Sequence, residues 1–359
     1  MKTNLTFPLT AGRIKGRGTP FNIPGRFETL ELVPESESLP ERSAIKTEFL
    51  ADCSKSIIAR NDSPDVGFDR SINPYRGCEH GCAYCFARPT HEYLGLSSGL
   101  DFESKILVKE KAAELLREEL FDRKWRPQPI ALSGITDPYQ PVERKLEVTR
   151  GCLEVLAEFC NPVAVVTKNF LVTRDIDLLS ELARSGAAHV SLSITTLKPE
   201  LQRTLEPRTS TPQRRLEAVK LLSAMGIPVR VFIAPIIPGI NDSEIPAIVR
   251  AAKAAGARCC QFMFLRLPHG VESLFKAWLD QHFPLRKEKV LGHLRELRGG
   301  QLNDYRFFSR MRGDGTYAEQ IKQLFVRSCQ KEGLDDELPP LTAAFFRRPA
   351  RTGQLRLFS

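Results

Sequence analysis

The sequence predicts an α/β protein in which six strand–helix units form one parallel sheet. From residue 71 onward, short apolar runs alternate with segments whose apolar residues recur at helical spacing. The second to sixth predicted strands begin about 25 to 40 residues apart, which is the repeat of a βα unit. Strands that alternate with helices pair in parallel through right-handed crossovers. Six units are too few for a closed eight-stranded barrel.

Residues 1–65 carry turn-forming residues instead of helical or strand periodicity. The stretches 12–20 and 22–25 are rich in glycine and proline. Only residues 47–50 and 56–58 have the pattern of short strands. We therefore expect an irregular N-terminal segment that wraps a core formed by the rest of the chain.

The six barrel strands are predicted from short apolar runs, at 71–75, 130–135, 163–167, 190–194, 229–233 and 260–265. Helical spacing from Val108 to Leu120 predicts the first helix. Further helices are predicted at 142–160, 174–185, 213–225 and 242–255. These elements define a barrel domain at 66–270. A helix ending near Gly333 belongs to a helical extension at 271–340, and residues 341–359 form a basic tail.

The composition is ordinary for a soluble globular protein, with 42% hydrophobic and 26% charged residues among 359. No apolar run approaches the roughly 20 residues that a membrane span needs. Residues 1–18 lack the apolar core of a secretory signal. We therefore expect a cytoplasmic protein with no membrane partner. Thiols stay reduced in that compartment, which argues against a disulfide framework among the nine cysteines.

The net charge of +9 comes from the two ends of the chain. Residues 1–26 hold five basic residues and no acid, residues 341–359 hold four and no acid, and the remainder is balanced. Basic arms can contact the phosphates of a nucleic acid. Solvated chain ends are the alternative explanation, and the charge alone leaves both open.

A loop directly after the first predicted strand holds Cys78, Cys82 and Cys85 in the spacing C-x3-C-x2-C, with Tyr84 before the last cysteine. Thiolates are the preferred ligands of iron–sulfur clusters, and a 4Fe–4S cluster normally takes four of them. Three cysteines therefore leave one iron open to a substrate. The loops after the strands are also where barrel active sites form.

Two other metal sites compete with this interpretation. A structural zinc ion needs four ligands, so His80 or His91 would have to supply the fourth. Such a zinc site has no reason to prefer the end of a barrel strand. An electron-transfer ferredoxin would need a fourth cysteine nearby, but the next one along the chain is Cys152.

The cysteine loop resembles the signature of the radical S-adenosylmethionine (SAM) enzymes, C-x3-C-x-aromatic-C. The resemblance implies an open six-stranded partial barrel with a helical C-terminal extension. It implies a 4Fe–4S cluster on Cys78, Cys82 and Cys85, whose open iron chelates the amino and carboxylate groups of SAM. Tyr84 would pack near the adenine. Reduction by a donor such as flavodoxin or ferredoxin would cleave SAM to a 5′-deoxyadenosyl radical that removes a substrate hydrogen.

Polar residues after the second and third strands are candidate SAM contacts. Thr136 and Asp137 can hold the ammonium group of SAM, or they can form a turn and a helix N-cap. Lys168 can pair with the carboxylate of SAM, or it can be a solvated lysine.

The following strands supply further candidates. Ser193 and Thr195 suit hydrogen bonds to the ribose or the carboxylate of SAM. Arg208 offers a planar guanidinium for a carboxylate, or it forms an internal ion pair. Pro235 lies in a segment after the fifth strand that resembles the adenine-packing loop of the family.

Residues 70–330 resemble, within that superfamily, a branch related to spore photoproduct lyase. The motifs that carry this resemblance are 136–141, 166–169, 206–209 and 234–242. Photoproduct lyases use a cysteine near the end of the second strand as a hydrogen donor, and residues 133–137 contain none. Cys259 and Cys260 open the sixth strand, at the opposite end of the barrel. Reversal of a thymine photoproduct is therefore not implied.

The C-terminal sequence Gln354–Phe358 resembles the short peptide by which bacterial DNA polymerases and repair proteins dock on the sliding clamp. An extended tail of this kind can place its leucines and phenylalanine in an apolar pocket. The alternative is a tail that packs on its own barrel. The competing function is thus a non-catalytic DNA- or clamp-associated protein with a structural metal site.

Overall fold

The computed structural model describes residues 14–27 and 45–350. Ten strands are found in these ranges: β1 Glu48–Ala51, β2 Ile58–Arg60, β3 Arg70–Ile72, β4 Tyr75–Arg76, β5 Lys105–Val108, β6 Ile130–Leu132, β7 Val163–Thr167, β8 Ala188–Ser193, β9 Val229–Ile236 and β10 Cys259–Phe264.

Twelve α-helices lie in the same described ranges, and short 3-10 turns join several of them. The helices are α1 Asp101–Ser104, α2 Ala112–Phe121, α3 Glu143–Leu146, α4 Val148–Phe159, α5 Ile176–Arg184, α6 Pro199–Leu205, α7 Pro212–Ala224, α8 Ile245–Ala254, α9 Val271–His282, α10 Lys287–Leu297, α11 Ser309–Arg312 and α12 Thr316–Glu332.

The main sheet has the order β10-β9-β8-β7-β6-β3-β2. Six of its strands, from β3 to β10, pair in parallel, and β2 adds an antiparallel edge. The strand order follows the chain, as it does when each crossover is right-handed and short. Strands β2 and β10 are not paired with each other, so the sheet is open. The predicted six-stranded partial barrel is confirmed.

The first predicted strand, 71–75, is divided between two sheets. β3 ends at Ile72, while Tyr75 and Arg76 form β4, which pairs antiparallel with β5. Pro74 lies between them, and proline has no N–H to donate to a continuing ladder. The second sheet has three strands in the order β1-β5-β4.

The helix predicted from Val108 begins four residues later, at Ala112, because Val108 is the last residue of β5. The apolar run of β5 alternates between buried and half-buried positions, as expected of a strand with one covered face. Helical spacing of the later leucines obscured this short strand. It matters because β5 holds the strand that enters the cysteine loop.

The core lies between the parallel strands and the helices that cover their outer face. β-Branched residues of the strands, such as Val165, Val190 and Val231, are fully buried against α4, α7 and α8. In β7 and β9 these fully buried positions alternate with half-buried ones, so one face of the sheet is covered more completely than the other. The α7 helix begins with Pro212 behind the N-cap Thr211, whose side chain accepts from the Arg214 N–H.

The helices α9 and α10 pack over the cysteine loop. A second apolar cluster joins Phe275, Trp278 and Leu294 to Cys82 and Tyr84. Trp278 also donates its indole N–H to the carbonyl of Thr204 at 2.9 Å. The helices therefore shield one side of the candidate site from water. Over 14–27 and 45–350, no helix has both the length and the apolar character needed to cross a bilayer.

Candidate active site

The cysteine loop leaves β4 through Gly77 and turns again at Gly81, two positions with φ of +80° and +64°. A side chain at either glycine would be strained in this left-handed conformation. The N–H of Cys78 donates to the carbonyl of Phe102 at 2.9 Å. These turns direct the three thiols inward from the carboxyl edge of the sheet.

Cys78 and Cys82 are buried, and Cys85 is half buried between two apolar clusters. Burial raises the pKa of the Cys82 thiol well above its ordinary value, and the nearby charges of Glu206, Cys85 and Cys78 raise it further. Thiolates grouped in such a pocket need a bound cation, since ligation deprotonates them. The donor set therefore fits an iron–sulfur cluster.

In the described part of the chain, no three histidine, cysteine or acidic side chains, the loop cysteines included, form a ready-made metal site. The ring of His80 lies between Asp137 and Asn169, at 3.3 Å from each. The Nε2 of His91 lies 2.9 Å from the Lys105 carbonyl. Both histidines that could have completed a zinc site thus have other contacts.

Tyr84, within the motif, is held by a buried carboxylate. Its hydroxyl donates to Glu206, which also accepts from Thr195 at 2.6 Å and from the guanidinium of Arg215. Burial alone would raise the pKa of Glu206, but the charges of Arg215 and Lys168 and the hydrogen bonds from Thr195 and Tyr84 together lower it. Glu206 is therefore a carboxylate, and it fixes the ring of Tyr84 by a charge-assisted hydrogen bond.

The segment around Glu206 also supports the backbone of the cysteine loop. Ala83 donates its N–H to the carbonyl of Leu205 at 3.0 Å, and Arg208 donates its N–H to the carbonyl of His80 at 3.3 Å. The two bonds are three residues apart in both segments that they join, 80–83 and 205–208. They place the loop after β8 directly beneath the loop after β4.

Glu79 also links the cysteine loop to the segments around it. Its carboxylate accepts from the Val142 N–H at 2.8 Å and pairs with Arg208 at 2.9 Å. Gln140 accepts from the Glu79 N–H and donates to the Gly77 carbonyl. The guanidinium of Arg208, a candidate for a ligand carboxylate, is thus engaged by a carboxylate of the chain itself.

Glu103 links the N-terminal segment to the cysteine loop. Its buried carboxylate accepts from Arg88 at 2.5 Å, from the Thr19 hydroxyl at 2.9 Å and from the Gly18 N–H at 2.9 Å. Arg88 also donates to the Cys82 carbonyl at 2.8 Å. The N-terminal residues, expected to wrap a core, lie directly on the cysteine loop.

Asp137 connects the loops after β6 and β7. Its carboxylate accepts from the Thr167 hydroxyl at 2.6 Å and from the Lys168 N–H at 2.7 Å, and it faces His80. Thr136 donates its hydroxyl to the carbonyl of Tyr75 at 3.2 Å. Both residues thus join neighbouring loops to the cysteine loop.

Among the predicted SAM contacts, Lys168 is the cation that keeps its ammonium group available. Its Nζ lies 5.9 Å from the centroid of the Tyr84 ring, and in the described ranges it forms no salt bridge. The hydroxyl of Thr195 donates to Glu206 and to the Ala234 carbonyl. Ser193 lies at the end of β8, where its carbonyl accepts from Arg215. Pro235, expected in the loop after the fifth barrel strand, lies instead within that strand, because β9 continues to Ile236.

Several residues that build this site were not foreseen from the sequence. Arg88, Glu103 and Arg215 are fully buried, and each holds part of the cysteine loop or its supports. Nothing in the local sequence distinguishes a buried arginine from a surface one. The one available signal was the density of polar residues in and beside the motifs that follow the strands.

An open parallel barrel with three grouped thiols at its carboxyl edge defines a class of cofactor-dependent proteins that react at the ends of barrel strands. Residues 72–252 match the family model described as the Radical SAM superfamily. The chain belongs to that superfamily.

The chain also has relatives that are similar along most of its length. A protein of Mycobacterium tuberculosis (strain ATCC 25618 / H37Rv) is 35% identical over 247 residues, which is 68% of this chain and 72% of that protein. A protein of Methanocaldococcus jannaschii is 30% identical over 213 residues, 59% of this chain and 76% of the relative.

Spore photoproduct lyase is similar in fold. Its complex with a dinucleoside spore photoproduct superimposes with a TM-score of 0.54 at 15% identity, covering 79% of each chain. A variant of that lyase with bound AdoMet gives a TM-score of 0.52 at 16% identity, covering 79% of this chain and 78% of the other. At such identities the likeness shows the fold alone.

Proposed function

We propose that this protein is a radical SAM enzyme in which Cys78, Cys82 and Cys85 hold a 4Fe–4S cluster that binds SAM. The chemistry that cluster and SAM supply in this superfamily is reductive cleavage to methionine and a 5′-deoxyadenosyl radical, which removes a substrate hydrogen. The observation that carries the proposal is the grouping of three thiols, two buried and one half buried, at the carboxyl edge of the sheet.

The chain's own residues would orient SAM and exclude water. Lys168 would pair with the carboxylate of SAM. This role is supported by its ammonium group, which lies 5.9 Å from the centroid of the Tyr84 ring. The fixed ring of Tyr84 offers a flat surface near the adenine. Trp278 and its apolar neighbours close the side of the site that faces α9. A closed, apolar wall protects radical intermediates from quenching.

The proposed substrate is a nucleic acid or a nucleic-acid component. The fold is similar to that of a lyase whose structure contains a dinucleoside photoproduct. The excess of basic residues at the chain ends agrees with an anionic substrate. Residues 133–137 hold no cysteine hydrogen donor, so the reaction on that substrate would differ from photoproduct reversal. A flavodoxin or ferredoxin of the cytoplasm would supply the electron.

The decisive measurement is release of 5′-deoxyadenosine by the anaerobically reconstituted protein with SAM and a strong reductant. We expect release that depends on all three cysteines, with about four irons per chain. A matched control is Cys152→Ala, because Cys152 is buried in the barrel core away from the loop. One zinc per chain and no release would instead support the non-catalytic, structural-metal alternative.

Docking on a sliding clamp is proposed separately for Gln354–Phe358, which lies outside the described residues. The tail peptide would bind purified clamp in a titration. Absence of measurable binding would remove this partner and leave the enzyme proposal unaffected.

A further inference from the structure

Arg266 follows the sixth barrel strand by two residues and lies at the carboxyl edge, beside the cysteine loop. Its guanidinium carbon is 5.4 Å from the centroid of the Phe86 ring, and Phe86 is adjacent to Cys85. Its Nη1 touches the sulfur of Met311 at 3.6 Å. Its Nε is buried and has no hydrogen-bond partner in the described ranges.

The cation of Arg266 also lacks a carboxylate. No salt bridge to it exists within residues 14–27 and 45–350, and its nearest charged neighbours include Arg310 and Arg298. The nearest acid, Asp65, is already engaged by Arg310 through two contacts of 2.6 Å. A half-buried, unpaired charge is unfavourable unless an anion joins it. This arrangement therefore has the properties of an anion site.

Four large aromatic rings of this region are about half exposed: Phe86 (47%), Tyr305 (59%), Phe307 (50%) and Phe308 (52%). Phe86 lies against Arg266, Phe307 lies 4.7 Å from the guanidinium carbon of Arg310, and the ring of Tyr305 lies 5.5 Å from that of His269. Isolated exposed rings are ordinary on protein surfaces. Here the segment that carries three of the rings is joined to the segment that carries Arg266. Arg298 donates to the carbonyls of Leu265 and Ser309, each at 2.9 Å, and so joins the aromatic segment to the end of β10.

The backbone at Phe308 is strained. Its φ of +64° and ψ of −55° form a γ-turn of the rare type, in which the Ser309 N–H donates to the Phe307 carbonyl at 2.8 Å. A bulky residue seldom adopts this conformation. Asp65 supports it by accepting the Phe308 N–H at 3.1 Å. Strained backbone of this kind is typical of functional sites, and here it holds an apolar ring about half in solvent.

We propose that Arg266, Phe86, Tyr305, Phe307 and Phe308, here called the rim surface, bind a single-stranded segment of nucleic acid beside the cysteine loop. The planar guanidinium of Arg266 is suited to one phosphodiester. The rings offer stacking surfaces for unpaired bases, which need no particular sequence. Several rings beside one cation fit a strand of successive nucleotides better than a free mononucleotide. This inference deepens the proposed function, on which it rests, by assigning its substrate class and docking residues.

The test measures the binding of a labelled single-stranded oligonucleotide to the cluster-loaded protein. Fluorescence anisotropy gives the affinity at each of several salt concentrations. SAM and reductant are omitted. We expect Arg266→Met to weaken binding by about tenfold and to lower the slope of log K against log salt by about 0.7, the loss of one phosphate contact. Phe308→Gly should weaken binding by about tenfold without changing that slope, because it removes a stacking ring and no charge.

Two controls separate binding from folding. Arg250→Met removes an exposed arginine of α8, which pairs with Glu332 and is not part of the rim surface, and should leave affinity unchanged. Phe308→Gly should unfold at the same or a higher temperature than the parent, since glycine relieves the strained turn. Thus a weaker-binding glycine variant would indicate a lost contact with nucleic acid.

Equal affinities and salt slopes for Arg266→Met and Arg250→Met would overturn the proposal. Binding of a mononucleotide or a duplex as tightly as the single strand would also overturn it. The binding assay contains no SAM, so its result does not depend on SAM cleavage. Oligonucleotide binding without 5′-deoxyadenosine release in the separate cleavage assay would refute the enzyme proposal and leave the binding role of the rim surface unaffected.

Discussion

Glu206 is the residue whose environment most distinguishes it from other acids of the chain. It is 1% exposed and accepts from Tyr84, Thr195 and Arg215. A buried carboxylate of this kind stabilises the fold only as part of its pair, since desolvation of each ion is expensive. The position of Tyr84, and with it the shape of the cysteine pocket, depends on this pair.

We expect Glu206→Ala to lower the free energy of unfolding by about 3–5 kcal/mol, because Arg215 would remain buried without its partner. The matched control is Glu217→Ala, which breaks the exposed pair between Glu217 and Arg214 on the same helix. That change should cost about 0–1 kcal/mol. Urea denaturation of the two purified variants measures both values, and equal losses would contradict the assigned role of the buried pair.

Arg208 shows why a motif does not settle the role of a residue. The sequence left open a ligand carboxylate or an internal ion pair, and the structure contains the pair with Glu79 at 2.9 Å. Lys168 differs because it forms no salt bridge with any of the described residues, and its ammonium group lies over the ring of Tyr84. Both are cations after barrel strands, and only their three-dimensional neighbours separate them.

The N-terminal segment, residues 14–20, is the element that the sequence described least well. Gly18 packs against the carbonyl of Gly81, so closely that a Cβ atom at residue 18 would lie 1.6 Å from that oxygen. Contact of this kind requires glycine on the approaching chain. An irregular segment thus supports the cysteine loop through backbone packing and through Glu103.

We expect Gly18→Ala to displace residues 14–20 from the cysteine loop. Hydrogen exchange should become faster at 14–20 and 77–85, and iron retention after reconstitution should fall. Gly25→Ala is the matched control, since a Cβ atom there meets nothing within 4 Å. Unchanged exchange at the cysteine loop in Gly18→Ala would contradict this role for the N-terminal segment.

At the scale of the molecule, both chain ends bind the barrel with part of their basic charge. Arg347 donates to the Glu158 carbonyl at 3.1 Å, and Arg348 donates to the Leu120 carbonyl at 3.3 Å. These carbonyls lie at the C-terminal ends of α4 and α2, where the helix dipole favours cations. Arg17 and Arg26 are likewise engaged near the cysteine loop. Net charge at the ends is therefore a weaker argument for nucleic acid than the rim surface.

We expect the double variant Arg347→Ala/Arg348→Ala to lose about 1–3 kcal/mol of stability, because several hydrogen bonds to helix ends are removed. Arg351→Ala/Arg356→Ala removes the same charge and is the matched control. Thermal unfolding at equal ionic strength compares the two. A charge effect alone would destabilise both variants to the same extent.

The sequence by itself determined the parallel α/β class and the cysteine motif. Both depend on local spacing: the period of apolar residues for the strands and helices, and the interval between thiols for the metal site. The strand that was divided at Pro74, and the missed β5, show the limit of such local patterns.

Only the tertiary structure decided which polar side chains remain available to a ligand. Glu79, Glu103 and Glu206 each bind partners from distant parts of the chain. For example, the Gly18 N–H donates to Glu103, which lies 85 positions away in the sequence. Burial and pairing depend on that convergence, and no local sequence encodes it. The lack of a hydrogen-bond partner for the Arg266 Nε among the described residues is likewise visible only in the tertiary structure, because it depends on which side chains surround the guanidinium.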